Sequence, residues 1–167
     1  LPHAHFLSSA TAGLHLAFEV LKKKHGWNDG DEVISASLTF VSTNHAIRYA
    51  KLEPVFADVD QYLCLDPQSI LQKITPKTRA VVFVGLGGNS GQLEEVSKIC
   101  KERGLALVLD AAHMAGTRVN QKHVGHNADV SFSELRTQDV SLLLLSLGSE
   151  HEVNLYTQPI HFLSRLF

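Results

Sequence analysis

Asp110 ends the apolar run Leu105, Ala106, Leu107, Val108 and Leu109, and Ala111, Ala112 and His113 follow it. Such a run reads as a buried strand, so the carboxylate falls at the strand's tip among small residues. In open α/β sheets, ligands bind beyond the carboxyl ends of the strands. A carboxylate at that place either binds something or merely caps the alanine-rich segment after it. On this stretch alone the two uses stand even.

Two kinds of ligand would use the aspartate. A dinucleotide would present a ribose hydroxyl to it. "VVFVGLGGNSGQLEE" is a strand, a glycine-rich turn and a helix, and Asp110 ends the next strand. However, Gly85, Gly87 and Gly91 give G-x-G-x-x-x-G, one residue longer than the dinucleotide fingerprint, and the unit is internal. The same glycines would also serve a plain strand-to-helix turn.

Pyridoxal phosphate (PLP) would use the aspartate differently. Its ring is an electron sink only while the ring nitrogen stays protonated, and a buried carboxylate beside that nitrogen keeps the proton there. PLP also needs a phosphate cradle at a helix N-terminus, a flat group against the ring, and a lysine for the Schiff base. "SSATAGLHLA" supplies a cradle before an amphipathic helix: Ser8, Ser9 and Thr11 can cap, and Ala12 and Gly13 admit a phosphate to the backbone. An ordinary N-cap has the same pattern. Phe40, in "SASLTFVSTNHA", follows a strand end and can cover a ring, or it can be a core aromatic.

Helical and strand periodicities alternate along the chain. Helices are expected over 11–25, closed by Gly26, over 40–50, over "DPQSILQKI" with Asp66 as N-cap and Pro67 first, and over "SGQLEEVSKICKERG", closed by Gly104. Strands are expected at "DEVISA", "EPVFADVD", "RAVVFVGL", 105–110 and "ADVSFS", with a hairpin at "TRVNQKHVG". This order predicts an α/β domain, three layers (α/β/α) around a mainly parallel sheet.

The 167 residues suffice for one domain with a real core. A formal net charge of −2 gives no basic field for nucleic acid or an anionic membrane, and the run Lys22 to Lys24 reads as a solvated helix end. No apolar run is long enough to span a membrane. The ten histidines are scattered, and no metal site is expected, His123 and His126 included. Cys64 and Cys100 suit a reducing compartment, hence a cytoplasmic location. The chain begins on leucine and is expected to be a piece of a longer one.

Taken together, Ser8 to Ser133 resembles the large domain of the PLP-dependent sugar aminotransferases of the DegT/DnrJ/EryC1/StrS family. The similar stretches are "SSATAGLHLA", "GDEVISASLTFVSTNHAIRYAKLEPVFADVD", "ITPKTRAVVFVGLGGNSGQLEEVSKICKERGLALVLDAAHMAGT" and "HVGHNADVSFS", in the family's order. The resemblance implies a seven-stranded mixed sheet, a smaller C-terminal domain and a homodimer. It implies a nucleotide-linked keto-sugar as substrate and an amino-acid donor, commonly glutamate. It also implies roles. Thr11 and the Ala12 backbone would hold the cofactor phosphate, with Ser133 adding a hydroxyl. Phe40 would stack on the ring, Asp110 would pair with its nitrogen, and His113 would lie near its hydroxyl.

The resemblance stops after Ser133. The family's Schiff-base lysine lies five residues beyond that serine, and here that position is Gln138. A neutral amide cannot take the lysine's part. Residues 1–133 are therefore expected to be a partial PLP-binding large domain. Residues 134–167 are expected to be a divergent tail, either frameshifted or naturally truncated. No catalytic residue is assigned, and the chain is expected to be inactive as it stands. With its last strands and small domain missing, it is expected to be marginally stable or aggregation-prone. A non-catalytic module for a cofactor or nucleotide sugar, a partner of an intact paralogue, and an NAD(P)-binding domain are the other expectations.

Overall fold

A computed structural model of the protein describes residues 4–137 and 140–147. The elements run β1 (Ala4–Leu7), α1 (Ala10–His25), β2 (Glu32–Ala36), α2 (Val41–Tyr49), β3 (Glu53–Ala57), α3 (Pro67–Lys73) and β4 (Thr78–Val84). They continue with α4 (Leu93–Arg103), β5 (Ala106–Asp110), β6 (Arg118–Val119), β7 (Lys122–His123), β8 (Val130–Thr137) and β9 (Val140–Leu147). One seven-stranded sheet has the order β1-β9-β8-β5-β4-β2-β3. The five strands from β8 to β3 are parallel, and β9 runs antiparallel to both β8 and β1. This is the α/β sheet expected, with the short β6–β7 hairpin beside it.

Local chemistry explains the helix limits. Ser9 caps α1 by accepting from the Ala12 N–H, and Gly26 ends it in the left-handed region. Asp66 accepts from the Gln68 N–H at the start of α3, where Pro67 needs no donor. Gly104 closes α4 in the same left-handed way as Gly26 closes α1.

Alternation along β4 fills both faces of the sheet. Val81 and Phe83 pack with Ile70 of α3 and with Leu93, Val96 and Ile99 of α4. Ala80 and Val82 pack on the other face with Leu14 and Phe18 of α1 and Ile47 of α2. The result is the three-layer arrangement expected.

Two strands were not legible beforehand. β1 is a short outer strand, and β9 comes from the tail. Val140–Leu147 pairs along the whole of β8, so β8 is not the open edge that the expected loss of the last strands would leave. An apolar run of that length will pair with an available strand edge whatever its origin.

Cys64 and Cys100 are both buried on the α3/α4 face, and both are free thiols. Burial pushes both upward, Cys100 to about 12. Iodoacetamide at pH 8 should therefore label neither in the native chain and both in urea. The unfolded thiol ionises from about pH 8.5, so the stability linked to Cys100 is complete below that pH. It is lost as pH climbs towards about 12, at up to about 1.4 kcal/mol per pH unit. In Cys100→Ala the alkaline arm of a stability–pH curve should be shallower by that amount, and an unchanged arm would refute the assignment.

Candidate functional site

Parallel strands put their carboxyl ends on one edge of the sheet, and four elements meet there. β1 runs parallel to β8, since each is antiparallel to β9, so the N-terminus of α1 follows at this edge. The N-terminus of α2 follows β2, a glycine-rich turn follows β4, and β5 ends on Asp110. Asp110 lies between Val84 of β4 and Phe132 of β8 in register. It shares its strand face with Val108, the face covered by α1 and α2.

Asp110 is 6% exposed. Its Oδ2 accepts a hydrogen bond of 2.8 Å from the Thr43 hydroxyl in the first turn of α2. Its Oδ1 accepts from the Ala112 N–H at 3.3 Å. The Thr43 hydroxyl is in turn 2.8 Å from that of Thr39. Phe40 is the N-cap residue of α2. Its side chain is 72% exposed, which excludes the core-aromatic use within this chain.

His113 lies over the turn after β4. The Gly87 N–H donates to its Nδ1 at 3.3 Å, so in the neutral ring the proton sits on Nε2. Gly87 and Gly88 both have positive φ, and the Gly88 N–H closes the turn on the Gly85 carbonyl. The turn uses residues 85–92 before α4 begins at Leu93. Its glycines therefore do not open that helix, as a dinucleotide fingerprint would require.

The opposite edge carries a groove of about 580 Å³, lined among others by His25, Trp27, Arg79, Arg103 and Asp129. Arg79 is held there by Asp31 at 2.9 Å. This groove is far along the strands from Asp110, at their amino ends. Among the described residues, no group of three or more His, Cys, Asp or Glu could hold a metal, and no helix is long and apolar enough to cross a membrane.

Residues 1–134 match the DegT/DnrJ/EryC1/StrS aminotransferase family. The chain belongs to this family. Solved structures agree. The aminotransferase TlmJ from Streptoalloteichus hindustanus is 32% identical, with a TM-score of 0.78 over 86% of this chain and 40% of that one. DesI, solved with its TDP-sugar product, is 35% identical, with a TM-score of 0.76 over 90% of this chain and 38% of that one. Helicobacter pylori PseC, an aminotransferase of pseudoaminic acid biosynthesis, is 26% identical, with a TM-score of 0.79 over 89% of this chain and 41% of that one. The chain thus spans about two-fifths of these relatives' length.

Within this family fold, the residues singled out from the sequence gather at the one edge. Thr11 and Ala12 lie in the first turn of α1, half-buried. The Ala12 N–H already donates to Ser9 Oγ at 3.1 Å, and by helix geometry the amides of Ala10 and Thr11 have no intrahelical acceptor. Ser133 follows Phe132 in β8, one step beyond the residue paired with Asp110. Gln138 lies outside the described residues. Thr39 and Thr43 are the residues that sequence reasoning missed. Nothing marks a threonine in a helix's first turn as the partner of a carboxylate 67 positions away.

Proposed function

We propose that this chain is the cofactor-binding part of a PLP-dependent aminotransferase that acts on a keto-sugar attached to a nucleotide, with glutamate as the usual amino donor. One observation carries the proposal: a buried Asp110 with a hydrogen bond to each carboxylate oxygen, at the same sheet edge as an exposed Phe40 and the capped N-terminus of α1. An anion, a flat ring and a helix N-terminus with amides lacking an intrahelical acceptor are what a pyridine phosphate needs, so the residues fit the group. When bound, PLP supplies an electron sink for chemistry at the amino-bearing carbon.

The chain's own groups would divide the work. Asp110 would hold the proton on the ring nitrogen. Phe40 would cover a ring face. Thr11, the amides that open α1, and Ser133 would take the phosphate. His113, with Nδ1 occupied by Gly87, would offer its Nε2–H to the ring hydroxyl.

The part missing is the covalent anchor. Gln138 would stand at the lysine position, and its amide neither attacks a carbonyl nor relays a proton at neutral pH. The chain would then bind the cofactor without turning over, which leaves it a non-catalytic module or the partner of an intact paralogue. We attribute residues 134–167 to a shifted reading frame. A Phe-x-x-x-Lys-Asn continuation in another frame of the encoding DNA is the expected finding, and its absence from all frames would refute the attribution.

Pyridoxamine phosphate tests the cofactor proposal, because its amine cannot condense with surface lysines. It should bind saturably, as followed by its own fluorescence anisotropy. Borohydride treatment of the chain with PLP should fix no cofactor within the site. Failure of pyridoxamine phosphate to bind would overturn the cofactor proposal, and saturable NADH binding in its place would favour the dinucleotide. A lysine adduct mapped to the site would overturn the claim of inactivity.

A further inference from the structure

We infer that Thr43 is a positioning residue: it locks the Asp110 carboxylate in the orientation that meets the ring nitrogen, and Thr39 locks Thr43. The inference rests on the cofactor proposal above and names how that site is held. The torsion that turns an aspartate carboxylate is broad, so burial alone does not orient it. Here each oxygen has its own donor, Thr43 on Oδ2 at 2.8 Å and the Ala112 N–H on Oδ1 at 3.3 Å. Two donors on two oxygens define a plane.

Direction follows from proton counting. An ionised carboxylate only accepts, so the Thr43 hydroxyl donates its one proton to Asp110. Its oxygen is then open to the Thr39 hydroxyl, 2.8 Å away. The Thr39 proton has a second acceptor at 2.8 Å, the Phe40 carbonyl. With the Thr43 proton spent on Asp110, however, only donation from Thr39 pairs the two hydroxyls. The donors then run Thr39 to Thr43 to Asp110, and each bond polarises the next. Thr43 is fully buried, so water does not substitute for it. It is also the third residue of α2, whose amino end favours a nearby negative charge.

Phe40 caps the same helix three residues earlier. A single turn, residues 39–43, therefore presents the ring cover and steadies the ring-nitrogen partner. A carboxylate must be held within about 10–20° to serve such a contact, and this turn is built to do that.

The test compares pyridoxamine phosphate with its analogue in which a C–H replaces the ring nitrogen. Their affinity ratio isolates the Asp110 contact from phosphate and stacking. Thr43→Val keeps the side-chain shape and should lower the ratio about tenfold, the size of one charge-assisted hydrogen bond. Thr43→Ser, which keeps the hydroxyl, should stay within about threefold of the unaltered chain. Urea melts confirm that each variant is folded. If Thr43→Val does not fold, Thr39→Val is read instead: a drop of about threefold supports the inference, and no drop overturns it. If the unaltered chain discriminates and folded Thr43→Val does so equally, the positioning role is refuted and the cofactor proposal stands. If the unaltered chain binds neither compound, the cofactor proposal falls and takes the positioning role with it.

Discussion

Alanine at position 85 should destabilise the fold by about 2–3 kcal/mol. The backbone there has φ −86° and ψ 69°, which other residues adopt. Conformation alone would make the change neutral or mildly stabilising, by up to about 1 kcal/mol. Packing decides otherwise. An added Cβ would lie 2.0 Å from Met114 Sδ, 2.4 Å from its Cγ and 2.7 Å from its Cε. Methionine is adaptable, but this one is fully buried on the α3/α4 face, so its whole end would have to displace other core atoms. The alternative is a shift of the turn. That would disturb the Gly85 N–H bond to the Asp110 carbonyl and so move the site. Met114→Ala costs about 2–5 kcal/mol on its own through the cavity it leaves. Combined with Gly85→Ala it should recover at least about 1 kcal/mol of the summed losses, because the new methyl enters that space. Urea melts of the four chains measure this directly. A single Gly85→Ala variant as stable as the unaltered chain would sink the packing argument.

This glycine shows where sequence reasoning stops. A glycine after a strand announces a turn, and the turn is there. That Gly85 is small for Met114, while Gly87 serves a positive φ and a donor for His113, depends on what lies across the loop. Helix limits were legible because their causes are local: Ser9, Gly26, Asp66 and Gly104 act within a few residues of themselves. The alternating strands were legible for the same reason. Asp110 was half legible. Its position at a strand end followed from pattern, and its capping use is present, since one oxygen accepts from the Ala112 N–H, while the Thr43 bond to the other oxygen had no signal in the sequence. Phe40 needed the structure to separate a core residue from an exposed one. β9 was illegible because its leucines carry only modest strand preference and its partner strand is what makes it a strand. The proposed lack of turnover rests on the sequence alone, because Gln138 lies outside the described residues.

Asp110→Asn should lower affinity for pyridoxamine phosphate by more than about a hundredfold while changing folding stability by less than about 1 kcal/mol. The two effects have separate origins. A protonated ring nitrogen set against a neutral amide loses its counter-charge in a site where Asp110 is 6% exposed, and removing one member of a buried charge pair costs about 3–5 kcal/mol. Folding need not suffer, because the threonine relay is reversible. Asparagine keeps one acceptor for the Ala112 N–H and turns its NH₂ towards Thr43. Thr43 then accepts and rotates its own proton to Thr39, 2.8 Å away. Thr39 in turn donates to the Phe40 carbonyl, also at 2.8 Å. Each hydrogen bond from Ala112 through the new asparagine and Thr43 to Thr39 keeps one donor and one acceptor, and the chain no longer buries a charge, which offsets part of what the altered geometry costs. The preference for pyridoxamine phosphate over its ring-carbon analogue should vanish in the same variant. Binding by Asp110→Asn within about threefold of the unaltered chain would remove the aspartate from the site. A loss of stability above about 2 kcal/mol would mean that the relay does not reverse, and that Thr43 donates to Asp110 as part of the fold's own hydrogen bonding.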